Sequence, residues 1–278
     1  MENFFDLIFN NNCDIDGGLR RKKIFKKSLK NKPLISIITV VYNNETYLQE
    51  CFDSVHNQNF QNFEHIVIDG GSTDETLNIV KENTNKIDYW CSKKDRGIYD
   101  AFNIGMTLAR GDIICFVNSD DKFYSEKTLD YAIEAFKNNK IDFLFGPVKK
   151  HWAVLSGYKP WKIHFSWGFY TSHSTGFFIK RESAKKVGFY NLKYKYSSDY
   201  DYFYRMIVKH KLKGVGINKN NIFGIFRRGG YSSTIRFIDH FKEEIQIRID
   251  NKQNKLLILI IIIYKSLKNI SRILKDLK

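Results

Sequence analysis

From Leu34 onward the chain alternates short apolar runs with amphipathic stretches. LISIITVV (34–41) reads as a buried strand. It is followed by ETYLQECFDSVHNQ, where Leu48, Cys51, Phe52 and Val55 recur at helical spacing. HIVID (65–69) predicts a second strand. Ser72-Thr73-Asp74-Glu75 has the spacing of a capping box and predicts the start of a helix carrying Leu77, Ile79 and Val80. IDYWC (87–91) predicts a third strand, and IYDAFNIGMTLAR (98–110) a third helix stopped by Gly111. IICFVNSDD (113–121) predicts a fourth strand that runs straight into polar residues. Beyond it, EKTLDYAIEAFKNN predicts a helix and DFLFGPV (142–148) a strand. A long aromatic and polar segment without clear period precedes DYDYFYRMIVKH, a further predicted helix.

Strands and helices alternating through short connections predict an α/β fold with a mostly parallel sheet covered by helices. Near-continuous Val and Ile in the strands fit a sheet buried on both faces. In such sheets ligands bind beyond the carboxyl ends of the strands, so the residues after each strand belong together. They are Tyr42-Asn43-Asn44, Asp69-Gly70-Gly71-Ser72-Thr73-Asp74, Lys93-Lys94-Asp95-Arg96-Gly97 and Asn118-Ser119-Asp120-Asp121. Adjacent Asp120 and Asp121 suit either a solvated turn or a hard divalent ion that also meets phosphate. The chain contains no P-loop motif, and Gly214-Val215-Gly216 lacks the third glycine of a dinucleotide fingerprint.

Composition narrows the partners. With 43% apolar and 15% aromatic residues among 278, the chain can build a full core and is no disordered protein. Its net charge of +15 points to a polyanionic partner: nucleic acid, a phosphorylated substrate or an anionic membrane. No nucleic-acid motif stands out, and no nucleic-acid partner is expected. Cys13, Cys51, Cys91 and Cys115 show no metal spacing and read as buried free thiols in a reducing compartment. The N-terminus has no signal-peptide pattern, and the longest apolar run, LLILIIII (256–263), is too short to span a bilayer. A cytoplasmic protein is expected. In KSLKNISRILKDLK, Leu267, Ile270, Ile273, Leu274 and Leu277 share one predicted helical face. This amphipathic tail either lies on anionic membrane or packs against the domain or a second copy in a homodimer.

ISIITVVYNNETYLQECFDSV, IVIDGGSTDET, DRGIYDAFNIGMTLARGDIICFVNSDD, HSTGFFIKR, SSDYDYFYRM and RRGGYSS occur in this order between about residues 34 and 233. Together they resemble the family 2, inverting, GT-A-fold nucleotide-sugar glycosyltransferases of bacterial capsule, exopolysaccharide and O-chain synthesis. The resemblance implies a GT-A domain over 34–233; the basic extension (1–33) and the helical tail (234–278), which either associates with membrane or packs on protein, fall outside it. It implies a UDP- or GDP-sugar donor, Mg2+ or Mn2+, a glycan or lipid-linked acceptor, and a location at the cytoplasmic face of the inner membrane.

The resemblance also assigns roles. Val40, Tyr42 and Asn43 would cradle the nucleotide base, Tyr42 by stacking, with Asp69 near base or ribose. Gly70 stands where many relatives carry a second acid. Asp95 and Arg96 belong to a loop that closes on the donor, Arg96 meeting phosphate or sugar or remaining a surface cation. Asn118-Ser119-Asp120 maps to the D-x-D element, so Asp120 would hold the metal against the diphosphate while Asn118 accepts from a ribose hydroxyl. Asp121 either assists the metal through water or caps the next helix. Asp199 would be the base for the acceptor hydroxyl, with Asp201 the weaker alternative. His173 either lines a sugar pocket or is structural, and Arg227, Arg228, Gly229 and Gly230 would cover the diphosphate. Rival readings are a nucleotidyltransferase on a similar sheet and a non-catalytic basic binding module.

Overall fold

The computed structural model describes residues 13–138, 140–151, 153–165, 169–227, 229 and 235–276. Its strands are Ile15–Gly17 (β1), Ile35–Val41 (β2), Phe63–Asp69 (β3), Tyr89–Ser92 (β4), Ile113–Phe116 (β5) and Lys122–Phe123 (β6). Phe143–Phe145 (β7), Val148–Lys150 (β8), Ala153–Leu155 (β9), Phe177–Lys180 (β10), Gly214–Gly216 (β11) and Gly224–Phe226 (β12) follow. The main sheet has eight strands in the order β1-β4-β3-β2-β5-β10-β7-β11, and a second sheet runs β6-β12-β8-β9. In the main sheet β2, β3, β4 and β5 are mutually parallel, whereas β10 runs antiparallel between β5 and β7.

Parallel pairing requires each connection to cross a face of the sheet, and helices supply those crossings. They are Leu48–His56 (α1), Thr76–Glu82 (α2), Ile98–Leu108 (α3) and Thr128–Asn138 (α4). All seven residues of β2 and of β3 are buried, as strands covered on both faces must be. Leu48, Cys51, Phe52 and Val55 are the buried face of α1, as their spacing predicts. Gly105 lets α3 lie on β2, since a Cβ there would come within 2.4 Å of Ile38 Cγ2.

Several local expectations are corrected. The predicted capping box does not form. The Ser72 hydroxyl donates to Asp69 Oδ1 instead, and α2 starts at Thr76, whose N–H donates to Asp74 Oδ1 at 3.1 Å. The third helix ends at Leu108, before Gly111; a Cβ at Gly111 would lie 2.6 Å from Ser36 N, so its role is close approach to β2. DFLFGPV is not one strand. The chain leaves the main sheet after Phe145 and joins the second at Val148, with Gly146 so tightly packed that a Cβ would meet the Phe223 ring at 2.1 Å. DYDYFYRMIVKH becomes a short α-helix, Ser198–Tyr204, ending in a π turn over Arg205–Lys209.

The cysteine expectation is overturned for two of the four. Residues 15–17 of the basic lead-in pair antiparallel with β4, matching Asp16 to Cys91, which brings Cys13 within 5.7 Å (Cα–Cα) of Cys91 in a disulfide. Cys51 and Cys115 are free and buried. A polar cluster also lies under the sheet. Glu64, at the start of β3, accepts from Arg20 (2.7 Å), Ser36 Oγ (2.5 Å) and the backbone of Arg110 (2.7 Å), so it ties the lead-in to β2 and to the turn before β5.

The chain continues through Arg181–Val187 (α5) and Ser198–Tyr204 (α6) to Phe237–Asp250 (α7), Lys255–Lys268 (α8) and Ile270–Asp276 (α9). The predicted continuous amphipathic helix breaks at Asn269. Leu267, Ile270 and Leu274 are exposed, Ile273 is half-buried, and Leu277 lies outside the described residues. Among the described residues no helix is long and apolar enough to cross a membrane.

Two outcomes follow for stability. The disulfide closes a loop of 78 residues. On the chain-entropy account this constrains the unfolded state by about 4 kcal/mol, so Cys13→Ser should lower the stability measured by urea titration by up to that amount. His65 is buried between Thr39 and His56, and burial holds both imidazoles down, His56 at about 4. Unfolded histidine takes up its proton near 6.5, so between about pH 6.5 and 4 the unfolded state binds more protons than the fold. Stability should therefore fall as pH drops through that window, by about 3 kcal/mol from His56 alone. Urea titrations at pH 7 and 4.5 measure the loss.

Candidate active site

The strand-end residues predicted to lie together do so, and hydrogen bonds link them. Asn43 adopts a left-handed backbone (φ 46°) after β2. Its N–H donates to Ser72 Oγ at 2.8 Å, and its Oδ1 accepts from the Thr73 N–H at 2.8 Å. Asn44 Nδ2 donates to Ser119 Oγ (2.9 Å), and the Ser119 N–H donates to the carbonyl of the buried Val40 (3.2 Å). The loops after β2, β3 and β5 thus form one rim. Tyr42 projects from it at 63% exposure, a free aromatic face on which a base can stack.

Asp69 is buried at the end of β3. Its carboxylate accepts from Ser92 Oγ (2.6 Å) as well as from Ser72, which joins the ends of β3 and β4. Asp95 caps the Gly97 N–H at 2.8 Å and stands against Gly70, where a Cβ would lie 3.0 Å from Asp95 Oδ2. The space next to position 70 is therefore filled by an acid from the neighbouring loop. Burial, the Asp100 charge and the Asp69 charge raise the Asp95 carboxyl above its usual range. Arg96 is exposed and turned to the first turn of α3, where Nε and Nη2 each meet Asp100 at 3.1 Å.

At the end of β5 the paired acids differ. Asp120 is half-buried, whereas Asp121 is 1% exposed and accepts the Arg227 N–H on Oδ1 at 3.0 Å. Burial raises both carboxyls, and the Asp120 charge pushes Asp121 up further. Asp121 Oδ2 and Asn118 Oδ1 are buried without hydrogen-bond partners. Unpartnered oxygens beside two adjacent carboxylates are the environment a hard cation relieves, so these residues fit a divalent ion. Two carboxylates are only part of the oxygen shell such an ion takes, and among the described residues no three His, Cys, Asp or Glu side chains gather. Such partial shells suit an ion that keeps waters and binds substrate phosphate. Arg227 adds positive charge here, its guanidinium 4.3 Å above the Tyr47 ring and paired with Glu50. Arg228 and Gly230 lie outside the described residues.

Asp199 occupies the first turn of α6 with both oxygens held. Oδ2 accepts from Tyr170 Oη at 3.0 Å, and Oδ1 accepts from the Tyr200 N–H at 2.9 Å. The Tyr99 hydroxyl is shared between Asp199 Oδ1 and the Tyr196 carbonyl, 3.2 Å from each. Asp201 points away, to Arg205 and Asn251. His173 clusters with Phe102 and Phe116, ring centroids 4.6 and 4.8 Å away, and its Nε2 lies 2.5 Å from Tyr190 Oη. Burial pushes this imidazole down to about 4 against the opposing Asp199 charge, so it is neutral at pH 7.

Sequence reasoning missed Tyr99, Tyr170 and Ser174, whose hydroxyl accepts the Asn118 N–H at 2.8 Å. Tyr99 lies inside the DRGIYDAFNIG block, two residues after Gly97, so its position carried a signal. Ser174 likewise lies inside the HSTGFFIKR block, whereas Tyr170 falls in the segment without readable period.

Comparison with known proteins places this arrangement. The profile of glycosyl transferase family 2 matches residues 36–191, more than half of the chain. A Mycobacterium tuberculosis protein named only as a glycosyltransferase is 28% identical over 228 residues, covering 73% of this chain and 85% of the relative. A PGL/p-HBAD biosynthesis glycosyltransferase of Mycobacterium bovis is 31% identical over 185 residues, covering 61% and 68%. Among solved structures, S. aureus TarS 1-349 in complex with UDP-GlcNAc superposes with a TM-score of 0.63 at 20% identity, covering 77% of this chain and 65% of that one. The chain thus spans just under two thirds of that structure. The mannosyltransferase PcManGT of Pyrobaculum calidifontis, with GDP-Man and Mn2+, superposes at 0.61 with 16% identity, covering 84% and 68%. The fold is the GT-A architecture, and the chain belongs to glycosyl transferase family 2.

Proposed function

We propose that this glycosyltransferase moves a sugar, with inversion, from a UDP- or GDP-sugar to a hydroxyl of a glycan acceptor, lipid-linked and destined for surface polysaccharide. The observation that carries this reading is Tyr99. It stands in the first turn of α3, just after the loop bearing Asp95, and its hydroxyl reaches Asp199. One residue so joins the edge suited to a nucleotide with a carboxylate suited to an acceptor.

In this reading Tyr42 stacks on the base, while Val40, Asn43 and Asp69 shape its seat and Asp95 closes on the donor. Asn118 accepts from a ribose hydroxyl, and His173, neutral, borders the sugar. Asp120, with the unpartnered oxygen of Asp121, would hold Mg2+ or Mn2+ against the diphosphate. A divalent ion there supplies Lewis-acid neutralisation of the departing nucleoside diphosphate. Asp199 takes the proton from the acceptor hydroxyl as its oxygen bonds to the anomeric carbon and the sugar–phosphate bond breaks. The phenols of Tyr99 and Tyr170 fix the orientation of that carboxylate.

The acceptor's lipid would bring the enzyme to the cytoplasmic face of a membrane, and α8 supports this. Ile258 and Ile261 pack inward, yet Leu256, Leu259, Ile260, Ile263 and Leu267 are each more than half exposed along the other side. Lys255, Lys268, Arg272 and Lys275 are exposed around that apolar stripe. Two copies meeting through this face would oppose cation to cation, whereas an anionic lipid surface complements it.

A panel of UDP- and GDP-sugars with Mn2+ or Mg2+, scored by nucleoside diphosphate release, tests the chemistry. Asp120→Ala should reduce release about 100-fold or more. Asp199→Asn should cut transfer roughly 10²–10⁴-fold while leaving donor affinity intact. If no donor binds and Asp120→Ala is silent, the proposal fails; a nucleotidyltransferase would instead turn over sugar phosphate with a nucleoside triphosphate.

Vesicle sedimentation tests the membrane contact. The protein should pellet with phosphatidylglycerol vesicles, not with phosphatidylcholine, and release as salt rises. Leu259→Asp with Ile263→Asp should abolish pelleting, and equal pelleting with both lipids would refute the charge argument.

A further inference from the structure

Ser197 stands at the N-cap position of α6, where a serine side chain ordinarily accepts from the first-turn N–H groups. It does not do so. Its hydroxyl is buried without a partner and makes no cap hydrogen bond. The N–H groups of the approaching chain instead converge on a carboxylate from another element. Glu243, in α7, accepts the Lys195 N–H on Oε1 at 2.5 Å and the Tyr196 and Ser197 N–H groups on Oε2, both at 2.6 Å.

The peptide joining Tyr196 to Ser197 is consequently held from both sides, its N–H (Ser197) by Glu243 and its carbonyl (Tyr196) by the Tyr99 hydroxyl shared with Asp199. A shift of this peptide moves the donor that orients Asp199. The same C-terminal segment braces α6 and the chain approaching it at further points. Asp250 accepts from Lys193 Nζ and Tyr194 Oη, both at 2.5 Å, Asn251 donates to Asp201 Oδ1 at 2.8 Å, and Gln253 donates to Tyr200 Oη at 3.0 Å. All of these acceptors and donors lie beyond residues 36–191, the span matched by the family profile.

We infer that Glu243 is a positioning residue for Asp199, so that the C-terminal helices complete the acceptor side of the site. This rests on the reading of Asp199 as the base. Three charge-assisted backbone bonds to one carboxylate form a rigid clamp. Displacement of a reacting group by about 1 Å can cost about 10²-fold in rate.

The test compares Glu243→Ala, Glu243→Gln, Asp199→Asn and the double variant Asp199→Asn/Glu243→Ala. Each is assayed with the nucleotide-sugar that gives nucleoside diphosphate release in wild type. Glu243→Ala should lower kcat about 10–100-fold with donor Kd unchanged. Glu243→Gln keeps one acceptor oxygen and should fall between Ala and wild type. Because Glu243 acts through Asp199, the double variant should be no slower than Asp199→Asn alone. Wild-type kcat in Glu243→Ala, or losses that multiply in the double variant, would overturn the inference. Retained transfer in Asp199→Asn would instead sink the base assignment on which it rests. Hydrogen exchange supplies a second readout that needs no turnover. The Lys195–Ser197 amides should lose protection in Glu243→Gln while β2 and β3 keep theirs, and unchanged protection at 195–197 would equally overturn it.

Discussion

Parallel strands cannot be joined by a tight turn, and this constraint organises the whole molecule. Each of β2, β3, β4 and β5 must be followed by a crossing over the sheet, so their carboxyl ends open on one edge. The backbone N–H and C=O groups at those ends lose their ladder partners together. Side chains satisfy several of them, Ser72 at Asn43, Asn43 at Thr73 and Ser174 at Asn118, and the backbone N–H of Ser119 takes the Val40 carbonyl. The polar rim is the price of ending a fully buried sheet. Its acids and amides are what a nucleoside diphosphate and its counter-ion can use.

The opposite edge shows the complementary solution. There Glu64, buried at 2% exposure, collects a guanidinium, a hydroxyl and backbone N–H groups from the turn before β5. Such an acid tolerates burial because every approach to it is a donor. It draws Arg20, and with it the lead-in, against the sheet, while the disulfide fixes the same segment to β4. One edge of the sheet is closed by polar partners from within, and the other is left available to a ligand.

What was legible in the sequence depended on the range of the signal. The α1 face, with Leu48, Cys51, Phe52 and Val55, follows from a period contained in nine residues. The four strand ends could be grouped because one topological rule applies to all of them. Pairings over long separations left no trace: Cys13 and Cys91 are 78 residues apart, and nothing local marks residues 15–17 as an edge strand. DFLFGPV misled because its apolar pattern is the same before and after the chain changes sheet at Gly146. Asp199 was legible only through its motif. Tyr170 and Glu243, which hold it and its approach, lie 29 and 46–48 residues away from their partners.

The position of α7 bears on what counts as a transferable unit. Family boundaries trace where sequences remain comparable, here from Ser36 to Asn191. Mechanical boundaries trace where forces close, and these reach Glu243, Asp250 and Gln253 through hydrogen bonds to α6 and its approach, then Lys265 through Glu244. A graft cut at the first boundary would carry the ends of β2 to β5 into a chimera but leave behind Arg227, which meets Asp121, and the helices that brace α6. If Asp199 faces the acceptor as proposed, swapping acceptor preference between such enzymes would mean exchanging the C-terminal helices together with the helix they brace.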